Sequence, residues 1–252
     1  MGCSDMNSIG FSTGALARGD FRSALNMLSS VETDAVELSA LRDHELVPLM
    51  AALSGLDLKR FRYVSIHVPS KFKTMPERAI AAALTPCVAA GLPIVIHPDA
   101  IYDPDSWACF GPLLCIENMD KRKWTGRTVA ELTSIFSTFP NATFCLDIAH
   151  ARQIDPTMAE AREMLARFGP RLRQLHISEI DSVGHHNRLS LASILATQGL
   201  AEMIPDNIPA IIESMVPEHE MKRELNSVRT ALKTDADAVR RRWASQDWGE
   251  MA

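Results

Sequence analysis

No stretch of this 252-residue chain approaches the roughly 18 consecutive apolar residues of a membrane-spanning helix, and no signal-peptide core opens it. The start, Met1-Gly-Cys-Ser-Asp-Met6, lacks the Ser or Thr that a myristoylation signal carries at position six. A soluble protein with no membrane partner is the expectation. Positive charge is also short: 26 Lys and Arg face 31 Asp and Glu, for a net charge of −5 and a pI near 5.9. Phosphate affinity draws on clustered Lys and Arg, so nucleic acid is a disfavoured partner, with room left for a local basic patch. The cysteines, Cys3, Cys87, Cys109, Cys115 and Cys145, are odd in number and lack CxxC spacing, and two lie inside apolar strand-like runs. That usage fits small buried hydrophobes in a reducing cytoplasm, not a disulfide framework. Internal repeats, low-complexity tracts and linkers are missing too.

What is present is one pattern repeated. A chain that is 46% hydrophobic and of this length suits a single domain over residues 1–252, with a C-terminal helix from about 218. Apolar strand-like runs occur at Ser8–Ser12, Asp34–Ser39, Tyr63–His67, Leu92–His97, Leu113–Glu117, Thr143–Asp147, Leu172–His176 and Pro209–Glu213. Helical periodicity alternates with them: from Asp20, from Asp43 to Leu53, from about Pro76 to Ala90, from Thr128 to Thr138, from Pro156 to Phe168, from Leu191 to Met203, and from Glu218 onward. Eight such alternations predict an α/β fold, a single (β/α)8 barrel. The long Pro98–Pro112 connection, with Trp107 and Phe110, reads as a lid or binding loop.

Six of the runs end on metal-capable side chains, His67, His97, Glu117, Asp147, His176 and Glu213, with His150 three residues past Asp147. Parallel strands deliver their last residues to one face, so these groups meet at one mouth. Singly, each is an ordinary strand-end polar residue. Together, converging imidazoles and carboxylates stay unsatisfied unless a cation or substrate joins them, which points to a divalent metal. Carboxylate-rich sets suit Mn²⁺ or Mg²⁺ and imidazole-rich ones Zn²⁺ or Co²⁺. Glu37, inside a strand, is unwelcome there unless it faces a polar barrel mouth. The loop after Glu117 gathers Lys121, Arg122, Lys123 and Arg127 beside Trp124. It reads either as solvated charge or, through Arg122, Lys123 and Arg188, as a phosphate clamp.

The motifs Ile66-His67-Val-Pro, Val95-Ile-His97-Pro, Cys115-Ile-Glu117-Asn, Leu146-Asp147-Ile-Ala-His150-Ala, Leu175-His176-Ile-Ser and Ile212-Glu213 resemble the xylose-isomerase-like TIM-barrel superfamily, over nearly the whole chain. In its epimerase branch the resemblance implies one divalent ion on Glu117, Asp147, His176 and Glu213. It also implies that the two glutamates act as acid and base, with His150 near the substrate. His67, His97, Glu37, His185 and His186 are candidates for a second ion or for substrate contact. The expected function is a metal-dependent isomerase or epimerase of a sugar, sugar phosphate or related polyhydroxy carbonyl compound, moving a proton next to a carbonyl. The alternative is an endonuclease IV-like zinc phosphodiesterase acting on abasic DNA. That branch carries three zinc ions and an Asp-Arg-His motif where this chain reads His185-His-Asn-Arg188. A catalytically idle barrel that binds a sugar-like ligand is a third reading. Homo-oligomer formation is left open.

Overall fold

The structure is a computed structural model and describes residues 7–233. The N-terminal hexapeptide with Cys3, and the part of the expected terminal helix past residue 233, lie outside the described residues. The barrel strands in chain order are β1 (Ile9–Ser12), β2 (Ala35–Ser39), β3 (Tyr63–His67), β4 (Ile94–Ile96), β5 (Leu114–Glu117), β6 (Thr143–Asp147) and β7 (Leu172–Ile177). A small hairpin of β8 (Glu179–Ile180) and β9 (His186–Asn187) follows, and β10 (Ala210–Ile212) is the eighth barrel strand. All barrel pairings are parallel, and β10 closes the ring between β7 and β1. The expected (β/α)8 barrel is the observed fold.

Strand alternation decides what faces where. One set of side chains, including Val36, Leu38, Ile66, Ile94, Ile96, Ile116, Phe144, Leu146 and Ile212, packs into the main core with the surrounding helices. The alternate set points into the barrel, where Val95, Cys115 and Cys145 form a separate small cluster. Two residues further along their strands stand His97, Glu117 and Asp147. The apolar outer face binds helix to sheet, and the inner face beyond that small cluster is left to polar groups.

Some helical expectations were too simple. The stretch expected from Pro76 to Ala90 divides into Glu77–Ala83 and Thr85–Ala90, because Pro86 has no N–H for a continuous ladder and sits instead in the first turn of a new helix. A short helix, Ile148–Ile154, precedes Ala159–Phe168 and carries His150. The Pro98–Pro112 segment is no free lid. Glu77 accepts hydrogen bonds from the backbone N–H of Tyr102 and Asp103 and from the Trp107 indole, and Trp107 is buried between Phe72 and Phe110.

Candidate metal centre

Glu117 is the middle of the site. It ends β5 facing inward, and four imidazoles surround it. Its Oε2 lies 3.1 Å from His67 Nε2 and 3.3 Å from His97 Nε2, while Oε1 lies 3.3 Å from both His176 Nδ1 and His150 Nδ1. The carboxylate is therefore shared between two potential ligand sets. One is His67, His97 and Glu117; the other is Glu117, Asp147, His176 and Glu213, and within each set the donor atoms lie within 4.8 Å of one another.

Local structure fixes each donor. Asp147 caps the helix Ile148–Ile154: its side chain accepts from the His150 backbone N–H at 2.7 Å through Oδ1, and Oδ2 is left free. The side chain of Asn118 reaches across to β6, donating to the Asp147 carbonyl at 2.9 Å and accepting its N–H at 2.7 Å. The Asn118 carbonyl takes His150 Nδ1 at 2.9 Å. His67 is turned by its Nδ1 contact with the Val68 carbonyl at 2.9 Å. His176 directs Nε2 at Glu37 Oε2, 3.1 Å away, which presents Nδ1 to Glu117 and Glu213. Glu37, fully buried, also accepts from Ser65 at 3.2 Å and from Gln174 at 2.8 Å, and Tyr63 donates to Gln174 at 2.6 Å. A carboxylate behind the imidazole of a metal ligand sets the tautomer and raises its basicity.

The electrostatics are those of buried carboxylates and imidazoles that shift one another strongly. Burial raises Glu117, but His176, His97 and His150 outweigh it and hold the carboxyl well below its usual range. Burial likewise opposes protonation of His67 and His150, yet Glu117 with Glu37 lifts His67 to about 9, and Asp147 with Glu117 lifts His150 to about 10. Glu213 is pushed up to about 7 by burial, against the pull of His176 and with the help of neighbouring carboxylates. His186 is pushed down to about 3 by burial and by His150. Glu117 Oε1, Asp147 Oδ2 and His176 Nδ1 are all buried without a hydrogen-bond partner. Three buried donor atoms with no hydrogen-bond partner among the described residues, all in one cluster of potential ligands, fit a bound cation.

Of the residues expected at the site, His67, His97, Glu117, Asp147, His150, His176, Glu213 and Glu37 gather at this mouth. His186 joins them, 3.4 Å from Glu213 and 2.9 Å from the Ser178 hydroxyl. His185 does not: the alternation of the β8–β9 hairpin turns it outward, 65% exposed and paired with Asp181. Arg188 pairs with Glu220 away from the cluster. In the basic loop, Arg122 is held by Asp120, Lys123 by Asp99 and Arg127 by Glu131. Asn118, Gln174, Asp99 and Asp120 belong to the site's surroundings and were missed. Gln174 was within reach of sequence reasoning, since it lies two residues before His176 and so on the same face of β7.

Fold and side chains together define an eight-stranded parallel barrel whose mouth carries a carboxylate–imidazole cluster fit for divalent metal. No protein-family model matches the chain, and no curated protein matches its sequence. Solved structures do resemble it. Endonuclease IV from Thermus thermophilus aligns at 17% identity over 89% of this chain and 98% of its own, with a TM-score of 0.60. A candidate sugar phosphate isomerase/epimerase from Anabaena variabilis aligns at 13% over 94% and 98%, TM-score 0.55. A xylose isomerase-like TIM barrel protein from Mycobacterium smegmatis, in complex with magnesium, aligns at 13% over 92% and 100%, TM-score 0.54. The likeness is one of fold, the eight-stranded parallel barrel.

Proposed function

We propose that this protein is a dinuclear metal-dependent hydrolase of phosphoesters. The observation that carries the reading is the position of Glu117, with one oxygen toward His67 and His97 and the other toward His176, which shares the second ligand set with Asp147 and Glu213. The buried Glu37, Glu117 and Asp147 and the partly buried Glu213 bring four carboxylates together, and two divalent ions match that charge. Without them, imidazoles must take up protons to compensate. When bound, a pair of divalent ions supplies the Lewis acidity that makes water nucleophilic near neutral pH and offsets charge on a phosphoryl group.

The chain's own residues do the rest. Glu117 sets the spacing of the two ligand sets, and Glu37 and Asn118 hold His176 and Asp147 in orientation. Glu213 has one oxygen toward His176 and the other toward His186, so its Oε2 is suited to take a proton from an attacking water. The pairing of Arg122, Lys123 and Arg127 with carboxylates, together with the acidic net charge, favours a small phosphoester over long nucleic acid. The likeness to endonuclease IV makes an abasic-site duplex the first polymer to test.

A second reading, the sugar isomerase or epimerase, draws support from the same Glu213, a carboxylate beside Asp147, His176 and Glu117 that is suited to proton transfer next to a carbonyl if those three residues held a single ion. Elemental analysis and two assays separate the readings. Two ions per chain and hydrolysis of phosphomonoesters, bis-p-nitrophenyl phosphate or an abasic duplex, lost in His97→Ala, support the hydrolase. One ion per chain, no hydrolysis, and deuterium incorporated from heavy water into a sugar panel would sink it in favour of the isomerase.

A further inference from the structure

The basic loop after β5 has no catalytic part in the reading above, and the charge of its Lys123 is already engaged. Lys123 Nζ donates to Asp99 Oδ2 at 2.8 Å, and both side chains are largely buried. Asp99 stands in the 3₁₀ turn Pro98–Ala100, two residues beyond His97 at the end of β4. Its other oxygen, Oδ1, is buried and without a partner, and so is His97 Nδ1. The two atoms face each other across 4.0 Å, while His97 turns Nε2 toward Glu117 Oε2 at 3.3 Å.

We propose that Asp99, clamped by Lys123, is the positioning residue for His97. This rests on the dinuclear reading, in which His97 Nε2 is a ligand. A ring nitrogen opposite a metal-binding one carries the proton, and ligating histidines donate it to a carboxylate, a carbonyl or water. Here the waiting acceptor is Asp99 Oδ1. A shift of about 1 Å brings the pair to hydrogen-bond distance. Lys123 keeps the other Asp99 oxygen occupied, so the carboxylate cannot swing into the mouth to become a ligand itself. Lys123 is in turn placed by its own loop, closed by bonds from Met119 N–H to the Gly126 carbonyl at 2.8 Å and from Lys123 N–H to the Asp120 carbonyl at 3.1 Å. Gly126, at φ +80°, packs against Pro98, the residue between His97 and Asp99. The loop thus acts on the metal site through Asp99, not as an anion clamp.

The test is titration of Co²⁺ into the metal-free full chain, following stoichiometry, affinity and the visible absorption of the bound ion. The variants are Asp99→Ala, Asp99→Asn and Lys123→Met, with Arg127→Ala, which breaks only the pair with Glu131, as control. Asp99→Ala should weaken one of the two ions by roughly 10- to 100-fold and alter its spectrum, the usual scale for such partners, with far less change at the other. Asp99→Asn, which keeps an acceptor oxygen, should lose less, Lys123→Met should fall between, and Arg127→Ala should match the wild type. If Asp99→Ala does not fold, the other two variants carry the same readout. Wild-type protein that takes up two ions, with both affinities and spectra unchanged in the folded variants or both ions weakened alike, overturns the proposal and leaves the dinuclear reading standing. A Lys123→Met variant that binds inorganic phosphate more weakly but Co²⁺ normally overturns it too and returns Lys123 to anion binding. A wild type that takes up a single ion overturns the dinuclear reading and this inference with it.

Discussion

Asp147 caps the helix that carries His150: Asp147 Oδ1 accepts the His150 backbone N–H at 2.7 Å, and Oδ2 stays buried and unpartnered at the centre of the site. One carboxylate therefore serves local structure with one oxygen and the candidate metal centre with the other. Asparagine caps helices about as well as aspartate but carries no charge. Asp147→Asn should fold with a near-wild-type thermal midpoint and bind at least one ion fewer by elemental analysis. Asp147→Ala should lose the cap as well, at a cost of about 1 kcal/mol in stability. Normal metal content in Asp147→Asn would remove Asp147 from the ligand set.

The sharing of Glu117 makes its replacement different from that of any histidine. Glu117→Gln should lower the metal content by both ions, because each ligand set loses its common carboxylate. His97→Ala should lower it by one. Equal losses in the two variants would show that Glu117 does not bridge.

The protonated imidazoles of the metal-free protein set a pH dependence. His67 is raised to about 9 and His150 to about 10, against about 6.5 in an unfolded chain. The folded form then binds more protons than the unfolded one across this interval, so stability falls as pH rises. The contribution is complete below about pH 6.5 and is lost as pH climbs through 9 and 10. Glu213, raised to about 7, acts in the same direction from about pH 4.3 upward. Thermal midpoints of chelator-treated protein should decline from pH 6 to 10, and those of metal-loaded protein should decline less. Parallel curves would argue against these groups being the proton sites.

Gly10 faces into the barrel from β1, and a Cβ there would run into the backbone carbonyl of Ala35 on β2. Backbone cannot step aside as a side chain can. Gly10→Ala should destabilise by about 3 kcal/mol or more, read as a lowered denaturant midpoint. A loss under about 1 kcal/mol would mean that the strands separate there at little cost.

The sequence by itself determined the barrel and most of its mouth. Eight strand runs of alternating outer and inner residues, six of them closing on His, Asp or Glu, dictate parallel strands whose last residues converge, and Glu117, Asp147, His176 and Glu213 meet as their positions require. Only tertiary structure decided how many ligand sets those residues form. That Glu117 turns one oxygen to His67 and His97 and the other to His150 and His176 depends on barrel curvature and rotamers, which no spacing encodes. The same holds for charge. Lys121 to Arg127 look like one cationic patch in sequence, but Asp99, Asp120 and Glu131 take up Lys123, Arg122 and Arg127 in space. His185 and His186 are neighbours in the chain and opposites in the fold, because one step along an extended strand turns a side chain from solvent to the barrel mouth.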